Sequence, residues 1–181
     1  MIYVALLRGI NVGGNNKISM KLLKETFERV GMEEVITYIN SGNVIFKTSC
    51  YSINELSVLL EKAILKDFSL DIKVLLRTYE DFESLLAKIP ENWGNNSVMK
   101  CDVLFLWEDI TPQELIDQAM PKPDIDTVIS YDKEVIWIVS KDNVTKSNLN
   151  KLIGTKAYKK VTVRNINNTR KIYTLMNSIL H

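Results

Sequence analysis

The chain repeats itself. Lys73-Val74-Leu75-Leu76-Arg77-Thr78 is answered by Lys160-Val161-Thr162-Val163-Arg164-Asn165, and Val4-Ala5-Leu6-Leu7 by Val103-Leu104-Phe105-Leu106. In the first pair an apolar, strand-like run ends in Arg and then in a residue that caps helices well. A fold for this chain must therefore be built twice within 181 residues, a length that suits one large domain or two small ones.

The order of elements between the matched runs gives the unit. Ile2–Arg8 is apolar on both alternating faces, as in a strand covered on both sides. After a Gly/Asn-rich loop, Ser19 caps a helix with Met20, Leu23, Phe27 and Val30 at helical spacing, stopped by Gly31. Val35–Ile39 and Val44–Lys47 flank the turn Asn40-Ser41-Gly42-Asn43. Ser52-Ile53-Asn54-Glu55 is a capping box opening a helix to about Asp67, Ile72–Arg77 is a strand, and Thr78 caps a helix that Pro90 ends. After the connector 91–97 the order returns. A strand over Asp102–Trp107 precedes a helix opened by Thr111-Pro112-Gln113-Glu114. A hairpin of Thr127–Tyr131 and Glu134–Val139, a short helix closing at Gly154, a strand over Lys160–Arg164 and a last helix complete it.

This is an α/β chain of the α+β type: two ferredoxin-like βαββαβ units in tandem, each with an appended helix. The expected division is 1–92 and 98–181, packed as one compact body, and right-handed crossovers favour strand order 4-1-3-2 in each unit. The copies differ where the order puts loops at one sheet end. Leu7 to Ser19 takes 12 steps against 5 from Leu106 to Thr111, and Tyr38 to Val44 takes 6 against 4 from Tyr131 to Val135. A sheet does not need either extension, so together they mark a candidate site.

The chemistry open to that site is bounded by what the chain lacks. His181 is its only histidine and its last residue, which removes Ser-His-Asp, Cys-His and histidine–metal schemes. No metal site or catalytic residue stands out, and nothing selects a cofactor. Cys50 and Cys101 read as reduced thiols. The apolar opening Met1–Leu7 is too short to cross a bilayer and lacks the flanks of a secretory signal, so a cytoplasmic protein without membrane association is expected.

In the loop, Gly9 and Gly14 have the separation of a phosphate-loop pair, but Lys17 comes too late for a Walker motif. A weaker form of the same logic remains, in which glycines let N–H groups converge near a helix start and Arg8 and Lys17 supply cations. Asn11, Gly13, Tyr38, Ser41, Gly42 and Asn43 complete this edge as a candidate for a small anionic or nucleotide-like ligand. The alternative for the loop is a long turn of residues that tolerate positive φ.

Charge is segregated along the chain. Residues 1–140 carry 14 Lys/Arg against 21 Asp/Glu, whereas 141–181 carry 9 against the single acid Asp142. The basic end contains Arg164, Asn165, Thr169 and Lys171, cationic and polar groups at a helix start that join the ligand-binding candidates. Arg170 and Lys171 oppose the dipole of that first turn, which a nearby anion would offset. Two other readings stand beside the small ligand. One is a nucleic-acid-binding accessory protein using the basic segment 141–171; the other is a protein-interaction module without a ligand.

Ala5-Leu6-Leu7-Arg8-Gly9-Ile10-Asn11-Val12-Gly13-Gly14, Met20-Lys21 and Thr37-Tyr38-Ile39-Asn40-Ser41-Gly42-Asn43-Val44 closely resemble motifs of the bacterial family called domain of unknown function 1697. Thr162, Arg164-Asn165, Asn168-Thr169 and Lys171 resemble its ending, with Ile166 where that ending has Trp. The resemblance spans 1–171 and implies an intracellular α/β protein of this architecture; it implies no activity.

Overall fold

The computed structural model describes residues 1–180. The first copy runs β1 (Ile2–Leu7), α1 (Met20–Arg29), β2 (Glu33–Tyr38), β3 (Asn43–Lys47), α2 (Ile53–Phe68), β4 (Val74–Thr78) and α3 (Tyr79–Leu86). The second runs β5 (Met99–Leu106), α4 (Pro112–Ala119), β6 (Asp126–Ser130), β7 (Glu134–Ser140), α5 (Leu149–Leu152), β8 (Val161–Asn165) and α6 (Ile166–Ser178). Two 3-10 turns, Lys141–Lys146 and Ala157–Lys160, flank α5 and carry no periodicity that would have disclosed them. No described helix is long and apolar enough to cross a membrane.

The expected caps form. Ser52 and Thr111 each accept from the N–H three residues on, while Glu55 and Glu114 reach back to the cap N–H groups. Ser19 accepts from the Leu22 N–H at 3.4 Å. Thr78 pairs with Asp81 in the same reciprocal way, at 2.9 and 3.2 Å.

Each copy makes one four-stranded antiparallel sheet, β2-β3-β1-β4 and β6-β7-β5-β8, the expected order in both. The duplication extends to register: Val4 lies opposite Arg77 and Val103 opposite Arg164. Both arginines are buried, 5% and 7% exposed, and both donate to the carbonyl of the residue before them.

Alternation along the strands sends one set of residues into a helix-covered core. In the first sheet Tyr3, Ala5, Leu7, Val44, Phe46, Val74 and Leu76 join Leu23, Phe27, Leu56 and Leu60. The intervening residues Ile2, Val4, Leu6 and Ile45 are also buried, as the two-sided apolar pattern of β1 requires. In the second sheet Leu104, Leu106, Val135, Trp137 and Val161 pack with Leu115, Ala119 and Leu152.

The compact units are Met1–Ser84 together with the described residues from Lys171 on, and Leu85–Arg170. The later residues of α6, which follows β8 in the second copy, thus group with the first unit. There Tyr79 of α3 stacks on Tyr173 with ring centres 5.2 Å apart. The Tyr79 hydroxyl donates to Asn177 Oδ1 at 2.8 Å and lies 2.9 Å from the Tyr173 hydroxyl.

Candidate functional site

Because β1 and β2 both pair antiparallel with β3, they run parallel, and the loops that leave them emerge at one end of the first sheet. The two loops are bonded together. The Leu7 N–H donates to Gly42 O at 2.8 Å. Asn11 binds three backbone groups: its amide nitrogen donates to Ile18 O at 3.0 Å and Asn40 O at 2.9 Å, and its oxygen accepts from the Ile18 N–H at 2.8 Å.

Within the longer loop, Val12 and Asn15 form an isolated antiparallel bridge around Gly13 and Gly14, whose φ values are 59° and 81°. Two successive left-handed residues are what a two-residue hairpin turn of the primed kind needs. These glycines therefore serve a turn, and the N–H groups of Asn11 and Asn15 are taken by Asn16 O and Val12 O. That favours the long-turn reading for the middle of the loop over a phosphate-cradling nest. The Asn16 amide donates to Gly9 O, and the fully buried Asn43 amide donates to Tyr38 O and Ser41 Oγ. Gly42 is packed against Leu7 and Ile10, with no room for a Cβ.

The exposed polar surface of this end consists of Gly9, Gly13, Gly14, Asn15, Asn16, Lys17 and Asn40, with Arg8, Asn11, Tyr38 and Ser41 half-buried. Two apolar side chains join them, Val12 at 63% and Ile39 at 41% exposure. Ile39 was expected in β2; the strand stops at Tyr38, and Ile39 stands at φ 49°. A β-branched residue there is strained. Of the eleven described residues with positive φ, seven lie in these two loops: Gly9, Asn11, Gly13, Gly14, Asn16, Ile39 and Gly42. Val12 and Ile39 escaped the sequence reading because neither residue type suggests a turn tip; the extra length of the loops was the available signal.

The remaining candidates lie on β8 and α6. Arg164 is buried, donating to Thr162 Oγ1 at 2.9 Å and Val163 O at 2.8 Å, and burial pushes its pKa down to about 10. Asn165 caps α6 by accepting from the Asn168 N–H at 2.8 Å, and the Thr169 hydroxyl donates back to Asn165 O. Lys171 is exposed. Arg170 needs no anion to explain it, since its guanidinium donates to Pro90 O and Trp93 O.

A family model described as protein of unknown function (DUF1697) matches residues 1–137, which take in both extended loops. The chain belongs to that family. A solved structure described as that of conserved bacterial protein SP0830 from Streptococcus pneumoniae is similar to it throughout. It shares 30% sequence identity at a TM-score of 0.83, over 97% of this chain and 98% of that one. No protein with a curated description matches. The chain has an α+β architecture of two four-stranded sheets, and the family description names no activity.

Proposed function

We propose that the protein binds a small anionic or nucleotide-like ligand where loop 9–17 meets turn 40–43. Arg8 and Lys17 hold negative charge, the backbone at Gly9, Gly13 and Gly14 with Tyr38 and Ser41 meets the rest of the ligand, and Asn11, Gly42 and Asn43 hold the two loops in shape behind it. The observation that carries this reading is the left-handed backbone gathered at one sheet end, in the copy whose loops are longer than the fold needs. Strained residues persist where surrounding structure over-determines them, and they cluster at ligand clamps. Ile39 is the clearest case, because its half-exposed side chain gains little from burial that would offset about 1–3 kcal/mol of strain. A ligand role for Arg164, Asn165, Thr169 and Lys171 rests on the sequence pattern alone.

Nucleotides and phosphorylated metabolites, screened by melting temperature, should include at least one that stabilises the protein in proportion to occupancy. Arg8→Gln and Lys17→Ala should each remove most of that shift while leaving the unliganded melting temperature within a degree or two. An undiminished shift in both variants overturns the site.

Relief of strain supplies an independent test. Ile39→Gly should raise the stability of the unliganded protein by about 1 kcal/mol and weaken binding of whichever compound the screen selects. A variant that is destabilised and binds normally would mean that Ile39 is structural.

A further inference from the structure

We infer that the segment 146–159 of the second unit is a nucleic-acid-binding surface that grips the phosphate backbone and reads no bases. Lys146, Lys151, Lys156 and Lys159 are all exposed, and among the described residues none of the four is held in an ion pair. From Asn143 to the last residue the chain contains no acid at all. The neighbouring Lys160, by contrast, is neutralised by Asp109 at 3.0 Å.

The segment is held in shape from within. Leu149, Leu152, Ala157 and Tyr158 turn toward the core under the second sheet, which leaves the lysines on the outer side of the same turns. The buried carboxylate of Asp126 accepts from Ser147 Oγ and the Asn148 N–H, Gln118 Oε1 accepts from the Ala157 N–H, and Lys122 Nζ donates to Lys146 O. Four cations on a pre-ordered scaffold gain Coulomb energy from a polyanion without first ordering the backbone that carries them.

The residues between the lysines narrow the class of polyanion. The exposed apolar residues here are aliphatic: Ile153 at 60% and Met120 at 65%, the latter joined to the segment through Asn148, whose amide donates to Met120 O. Single-strand-binding surfaces stack bases on exposed aromatic rings, so stacking is not the mode of contact. A membrane-surface element needs a broad apolar face, and Leu149 and Leu152 are spent on the core instead. What remains is cationic contact with phosphates, which positions a duplex without specifying its sequence.

The test is binding of two unrelated 20-base-pair DNA duplexes, followed by fluorescence anisotropy from 25 to 200 mM salt. Both should bind equally. The logarithm of the binding constant should fall against the logarithm of salt with a slope of about −3 to −4, as release of counterions from roughly four phosphates requires. Lys151→Glu/Lys156→Glu should weaken binding at least tenfold at low salt with an unchanged melting temperature. Lys62→Glu/Lys66→Glu, reversing two exposed lysines of α2, should not. No binding at 25 mM salt, equal loss in both double variants, or capture by phosphatidylserine vesicles but not by duplex would each overturn the inference.

Discussion

Gly42→Val is expected to cost the protein about 2–5 kcal/mol. A Cβ at this position would lie 2.7 Å from Ile10 Cδ1 and 2.8 Å from Leu7 Cβ, and both residues are buried with no space to retreat. Overpacking of that kind costs about 1–3 kcal/mol. The backbone adds a further ~1–2 kcal/mol, because φ is +80° and valine is driven out of the left-handed region. Gly13→Val shares only the second cost, since nothing lies within 4 Å of its Cβ position. Urea denaturation of the two variants should therefore separate them by about 1–3 kcal/mol, the overpacking cost alone. Equal stabilities would mean that the two loops do not pack as described. The contrast also decides which glycine can report on ligand binding: Gly13 variants can be assayed folded, whereas a loss of binding in Gly42→Val would reflect the packing of the two loops.

Asp126→Ala is expected to be of similar size, about 3–5 kcal/mol. The Asp126 carboxylate accepts from the Lys122 N–H, Trp137 Nε1, Ser147 Oγ and the Asn148 N–H, and deletion strands these donors in or beside the core. Each stranded donor costs about 1–3 kcal/mol before water or local rearrangement recovers part of it. The same carboxylate gives a pH signature. Burial works to raise its pKa, but the hydrogen bonds from Lys122, Ser147, Asn148 and Trp137 outweigh burial and hold it below the ordinary value. A depressed carboxyl stabilises the fold above its unfolded pKa of about 3.9 and loses that contribution as the pH falls through its folded value. The parent should lose stability below about pH 4, and Asp126→Asn should lose less over the same interval. Parallel pH profiles would assign the network no role in acid unfolding.

Much of this fold is legible because each level of the sequence agrees with the next. Ser52 and Thr111 carry complete capping boxes, and the two Arg-ending strands announce a repeated unit whose handedness leaves one favoured strand order. Other features were hidden for identifiable reasons. The 3-10 turns around α5 follow from contacts with Asp126 and Gln118, which sit distant in sequence. Tyr79 and Tyr173 meet although 94 residues separate them. At the candidate site, the convergence of the two loops was readable from their lengths and from β1 running parallel to β2. The jobs of the individual residues were not. Asn11 could have faced a ligand or the backbone, and it binds the backbone three times; Arg170 could have awaited an anion, and it found two carbonyls. Polar side chains have several ways to be satisfied, and only the assembled fold chooses among them.

The membership of α6 bears on the order in which the protein is made. The described residues from Lys171 to Leu180 belong to the first unit, yet they leave the ribosome after every residue of the second. Domains generally fold as they emerge, the N-terminal one first. Here the nascent first unit must wait, with Tyr79 lacking the hydroxyl of Tyr173 and the amide oxygen of Asn177, until translation has passed through the whole of its neighbour. The unit begun first is thus the one completed last.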